Sequence, residues 1–193
     1  MKVRNLITKN KNTFKGPFII EPQIFRDDRG LFFESWNQDK FNDFFPNKIH
    51  FLQDNHSYSK KDVLRGLHYQ LAPYPQAKLV RCTFGSIFDV IVDIRSDSET
   101  YGEWASVELN GNNNKQIWIP EGFAHGFLVL SDSAIVQYKT TNLWVKNLER
   151  TIRWDDNTIG IAWPIHNAQK LHLSDKDNNG QSLTNARIKK EIF

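Results

Sequence analysis

The chain has 193 residues and a mass of 22.6 kDa, enough for one domain with a sizeable core. With 39% hydrophobic residues, among them 14 Phe, 6 Trp and 5 Tyr, it has ample apolar surface to bury, which excludes disorder as its main state. A net charge of +3 with no basic stripe argues against a nucleic-acid partner, and apolar runs such as Phe127–Leu130 fall far short of the ~20 residues of a membrane helix.

In chain order, Met1-Lys-Val-Arg-Asn lacks the apolar core of a signal peptide, and the basic cluster Lys9/Lys11/Lys15 reads as a solvated end, like Arg187/Lys189/Lys190 at the other terminus. The charge still allows a small anionic ligand. Alternating apolar and polar residues predict strands over Phe18–Pro22, Gly30–Trp36, Phe51–His56, Val63–Tyr69, Lys78–Gly85 and Ile87–Arg95. Further strands are predicted over Trp104–Leu109, Gln116–Ile119, Gly126–Ser131, Ser133–Thr140 and Thr151–Trp154. Asn37–Phe45 is the one segment that reads as a helix. In Ile87–Arg95, Phe88, Val90, Val92 and Ile94 point one way, and Ile87, Asp89, Ile91 and Asp93 the other. Asn110-Gly111 signals a hairpin between its flanking strands, because that pair tolerates positive φ. The tail after about Trp163 is expected to wrap the core irregularly. Residues 1–193 therefore read as one all-β domain, a jelly-roll β-sandwich or barrel. The single cysteine, Cys82, cannot close an internal disulfide, so a reducing cytoplasm is the expected location.

Polar residues inside apolar strands cost free energy unless they are paired or used. Those that stand out are Arg65 and His68, Lys78, Asp89 and Asp93, and Tyr138. By parity Lys78 shares a face with Val80, and His68 with Gly66. Pro120-Glu-Gly122-Phe-Ala-His125 resembles the second metal segment of metal-binding cupins. The first segment fails: Gln70 stands where a second His belongs, and no Glu follows before Gly85. No catalytic metal is expected. Without a P-loop lysine or a nucleophile elbow, the remaining chemistry is proton transfer, for which a neutral His backed by a carboxylate is suited. Asp89, Asp93 and the Leu173–Asp177 cluster are all open as that carboxylate.

The strings FRDDRGLFFESWN, FLQDNHSYS, VLRGLHYQ, QAKLVRCTFGSIFDVIVDIR, QIWIPEGFAHGFLVLS, WDDNTIGIAWP and LSDKD occur in this order. Together they closely resemble the dTDP-4-dehydrorhamnose 3,5-epimerases, cupin-like enzymes of deoxysugar nucleotide synthesis that use no metal or other cofactor. The resemblance covers roughly residues 15–180. It implies that His68 is the catalytic base, Asp177 the carboxylate that orients it, Tyr138 the acid on the opposite face of the sugar, and Lys78 the group at the ketone oxygen. It implies contacts to the nucleotide-sugar from Arg29, Glu34, Gln53, Asn55, Arg65, His125, Glu149 and Lys176. It also implies a jelly-roll homodimer in which Arg29 and Glu34 serve the partner's pocket. The expected reaction converts dTDP-4-dehydro-6-deoxy-D-glucose to dTDP-4-dehydro-L-rhamnose. The stretch Thr140-Thr-Asn-Leu143-Trp144-Val145-Lys146 departs from the family pattern: Leu143 replaces an aromatic and a Pro is missing. Since relatives that invert only C3 or only C5 share most of these strings, mono-epimerisation of a related 4-ketosugar is the alternative.

Overall fold

The computed structural model describes residues 2–165 and 171–193, and residues 166–170 of the predicted tail lie outside that description. Among the described residues thirteen strands, three short α-helices and one 3-10 turn at Lys146–Leu148 follow one another, in the order β1 Lys2–Ile7, β2 Thr13–Glu21, β3 Phe25–Asp27, β4 Gly30–Phe32, α1 Gln38–Asn42, β5 Gln53–Lys60 and β6 Leu64–Gln70. Then come β7 Lys78–Phe84, β8 Ser86–Asp93, β9 Trp104–Asn110, β10 Gln116–Ile119, β11 Phe123–Val129, β12 Ser133–Thr140, β13 Glu149–Thr151, α2 Asp175–Asn178 and α3 Leu183–Ile188. A six-stranded sheet in the order β1-β2-β10-β7-β12-β5 faces a five-stranded sheet in the order β13-β6-β11-β8-β9. The pairings between these strands are antiparallel, and from β5 to β8 the chain alternates between the two sheets. This is the expected jelly roll.

The core follows from alternation. Val80 and Cys82 of β7, Ile117 and Ile119 of β10 and Val136 of β12 meet Ile87 and Ile91 of β8 and Phe123 and Phe127 of β11 between the sheets. Burying such side chains stabilises the fold by about 1.5–3 kcal/mol each. Val90, Val92 and Ile94 point the other way, as expected, yet they too are fully buried. Ile152, Ile159 and Leu183 from the C-terminal part of the chain cover them. That part is therefore more ordered than an irregular wrap, since it contains α2 and α3. The outer face of the six-stranded sheet is covered in turn by α1: Phe41 packs edge-on against Trp118, with ring centroids 5.3 Å apart at 73°.

Four local expectations need correction, the first being the strand expected over Thr151–Trp154, which runs over Glu149–Thr151 instead. The helix is shorter than Asn37–Phe45, because Asn37 is its N-cap, with its side chain accepting from the Lys40 amide at 3.1 Å. Asn110-Gly111 does form a turn, in which Asn110 Oδ1 accepts from the Asn112 and Asn113 amides. The strands on either side, β9 and β10, lie in opposite sheets and do not pair, so the turn is no hairpin. The strand expected over Gly30–Trp36 stops at Phe32, since Trp36 turns down to pack on Phe41 and Phe51.

Candidate active site

At one end of the sandwich the inward positions change from apolar to polar. Gln53 and Asn55 of β5, Tyr138 of β12, Lys78 of β7, His68 of β6 and Glu149 of β13 line a cleft of about 350 Å³, together with Gln76 and Trp144. Register explains the convergence: Tyr138 stands opposite Asn55 on one side and Val80 on the other, and Thr140 opposite Gln53 and Lys78. Six of the twelve site residues expected from sequence therefore share one cavity.

Strict alternation would send Arg65 and His68 to opposite faces of β6. Instead the β6–β11 register slips between His125 and Phe127. Gly66, at φ +124°, lies so close to β11 that an added Cβ would sit 2.5 Å from Gly126 Cα. Arg65 stays exposed and does not line this cleft; its Nε donates to Ser59 Oγ of β5 at 3.0 Å.

His68 Nε2 lies 2.5 Å from Asp177 Oδ1, which identifies the carboxylate the sequence left open. Asp177 sits in the first turn of α2, whose N-cap Ser174 binds it twice: the hydroxyl donates to Oδ2 at 2.7 Å and accepts from the Asp177 amide at 3.2 Å. The Gly66 amide donates to Oδ1 at 3.3 Å. Burial alone would push the Asp177 carboxyl up, but its bonds to His68, Ser174 and Gly66 and the nearby imidazole hold it below the usual range. Burial is the largest influence on His68 and lowers its pKa, with Lys176 and Lys78 adding to the effect and Asp177 opposing it. The ring is therefore neutral at pH 7. With Nε2–H given to Asp177, Nδ1 is the nitrogen left to accept a proton.

Lys78 is buried and donates to the His68 carbonyl at 3.3 Å. Burial pulls its pKa down to about 8, against the opposing charges of Glu149 and Asp89. The Tyr138 phenol is pushed up, mainly by burial and then by Glu149, so it holds its proton at neutral pH. Glu149 pairs with Lys176 at 2.9 Å at the rim. His125, on β11 directly opposite His68, binds Asp89 at 2.8 Å. Asp93, the third open carboxylate, is occupied by Arg95, Ser98 and Thr100.

Arg29 and Glu34 do not line this cleft. Arg29 is exposed on the β3–β4 hairpin and pairs with Asp27 at 2.6 Å, while Glu34 pairs with Lys40 at 2.7 Å. Sequence reasoning missed Gln76 and the part played by Gln70. Gln76 shares the parity of Lys78, a signal that was available. Buried Gln70 donates to the carbonyls of Tyr74 and Leu143 and accepts from the Val145 amide at 2.8 Å, which fixes Trp144 at the cleft wall. The residue that broke the metal pattern thus shapes the mouth. Among the described residues no three His, Cys, Asp or Glu side chains come together as a metal site.

Residues 11–185 match the family profile described as dTDP-4-dehydrorhamnose 3,5-epimerase. A protein of that name from Shigella flexneri is 56% identical over 168 residues, covering 87% of this chain and 91% of its own. The crystal structure of dTDP-6-deoxy-D-glucose-3,5-epimerase from Legionella pneumophila, in complex with dTDP-4-keto-L-rhamnose, superposes with a TM-score of 0.89 at 40% identity. That likeness covers 99% of this chain and 97% of the other. A 3'-monoepimerase from Streptomyces bikiniensis, in complex with dTDP-quinovose, is similar at a TM-score of 0.86 and 31% identity, covering 92% of this chain and 89% of its own. The fold, the profile and the relatives agree: this chain belongs to the dTDP-4-dehydrorhamnose 3,5-epimerase family.

Proposed function

We propose that this chain inverts C3 and C5 of dTDP-4-dehydro-6-deoxy-D-glucose, giving dTDP-4-dehydro-L-rhamnose. The observation that carries the reading is a neutral, carboxylate-bound His68 sharing one cleft with a protonated Tyr138 and with Lys78. The C4 ketone acidifies the hydrogens on C3 and C5. His68 Nδ1 removes one of them, and the electron pair moves into an enolate with its charge on the ketone oxygen. Lys78 as an ammonium ion stabilises that charge where it develops; loss of one such donor costs roughly 10²–10³ in rate. Tyr138 delivers a proton from the opposite face, which inverts the centre. Asp177 holds the His68 ring and stabilises the imidazolium that forms. The scheme calls for no cofactor.

In this reading Arg65, His125, Gln53, Asn55, Glu149 and Lys176 bind the nucleotide-sugar, with the Arg65 guanidinium suited to the diphosphate. Arg29 and Glu34 complete the cleft of a second subunit in a cytoplasmic homodimer, each chain acting as one jelly-roll unit. The exposed apolar hairpin supports this, with Phe25 at 55% and Phe32 at 72% exposure. The described residues contain no helix long and apolar enough to cross a membrane. The test is turnover of dTDP-4-dehydro-6-deoxy-D-glucose in D₂O followed by NMR. Deuterium is expected at both C3 and C5; label at one carbon would reassign the chain as a mono-epimerase.

A further inference from the structure

Asp89 lies at the middle of β8 between Ile87 and Ile91, fully buried on the inner face. A carboxylate there is costly unless both of its oxygens are used. Oδ2 binds His125 Nε2 at 2.8 Å, whereas Oδ1 is buried with no hydrogen-bond partner. Asp89 binds His125 of β11, which stands opposite His68, whose carbonyl accepts from Lys78 Nζ at 3.3 Å; across the sandwich the Asp89 charge acts on Lys78 and Cys82 of β7. Around Lys78 stand Glu149 from β13, Lys176 from α2, His68 from β6 and Tyr138 from β12. Of the two carboxylates that act on Lys78, Glu149 already shares its charge with Lys176 at 2.9 Å. Asp89 has one oxygen uncommitted.

We infer that Asp89 is a positioning residue for the epimerisation: one oxygen fixes the His125 ring beside His68, and the other is the counter-charge that keeps Lys78 an ammonium ion. The inference rests on the roles proposed above for His68, Tyr138 and Lys78. It gives the buried carboxylate a function that simple packing does not. Burial draws Lys78 toward its neutral form, and a neutral amine cannot offset the enolate charge. The anion therefore acts on the rate of the chemical step rather than on substrate affinity.

The test is the Asp89→Asn variant of the full chain, which keeps the shape of the side chain and removes its charge. At pH 8 kcat is expected to fall about fivefold while KM stays within about threefold, and the alkaline limb of the kcat profile should move about one pH unit lower. A profile that overlays that of the unaltered protein after scaling would overturn the inference, because a merely structural role lowers activity equally at every pH. Should the variant fail to fold, ¹⁵N NMR of the histidines in the unaltered protein decides: His125 is expected to carry its proton on Nε2 with Nδ1 bare, and the reverse tautomer would refute the pairing. Deuterium wash-in by the unaltered protein is measured alongside. Its absence would remove the epimerase reading itself, whereas wash-in combined with an unmoved profile would remove only the role of Asp89.

Discussion

Lys78 and His68 set the pH range in which the site can work, and their surroundings push both in the same direction. Each is drawn toward its neutral form chiefly by burial. For His68 neutrality is the working state, since a base must be empty. For Lys78 the charged state is the working one, and it is lost as pH rises through about 8. The rate is therefore expected to decline on the alkaline side near pH 8, a limb that Lys78→Met should abolish together with most of the activity, about 10²–10³-fold. A pH–rate series on both proteins checks this. Asp177→Asn should leave KM within about threefold and lower kcat by at least about a hundredfold, because the His68 ring loses its orientation and the imidazolium its counter-charge. At this scale much was legible in the sequence. His68, Lys78 and Tyr138 stood out as polar residues in apolar strands, and the structure brings all three to one cleft. The partner of His68 was not legible from pattern alone, because the pair is 109 positions apart and alternation says nothing about which distant loop returns.

Among the elements, α2 is the shortest α-helix of the described residues and holds the most demanding residue. Its four residues persist because Ser174 caps the N-terminus and binds the Asp177 carboxylate with the same hydroxyl. Ser174→Ala is expected to cost about 1 kcal/mol in stability, read by denaturant unfolding, and to lower kcat more than it raises KM. The β6–β11 crossing is the other decisive element. Gly66→Ala would force a Cβ against Gly126 backbone and strain a positive φ, so a loss of at least about 2 kcal/mol is expected in thermal unfolding. Alternation placed most strands of the sandwich but could not show this crossing, since a register slip changes no residue type. It also missed β1, an edge strand whose residues are nearly all exposed and so lack an apolar face. The short helices of the C-terminal part escaped for a related reason. They are held by caps and by docking, α2 on β6 and Leu183 of α3 against Val90 and Val92 of β8, with too few turns to show a period.

For the molecule as a whole, the jelly roll was readable from many short strands and turn signals, because an antiparallel sandwich is the architecture that buries them. Arg29 and Glu34 stand away from the cleft of their own chain, and a single chain's pattern does not reveal that separation. If these two residues serve the partner's cleft, Arg29→Ala and His68→Asn subunits, each nearly inactive alone, should regain about a quarter of the normal activity after mixing and subunit exchange. If they serve their own chain, mixing restores nothing. The most direct measurement concerns the proton on carbon. Incubated with substrate in D₂O, the unaltered protein should wash deuterium into C3 and C5, Tyr138→Phe should slow inversion more than wash-in, and His68→Asn should show no wash-in at either carbon. Wash-in at the normal rate by the His68→Asn protein would contradict the account, because another group would then be taking the proton.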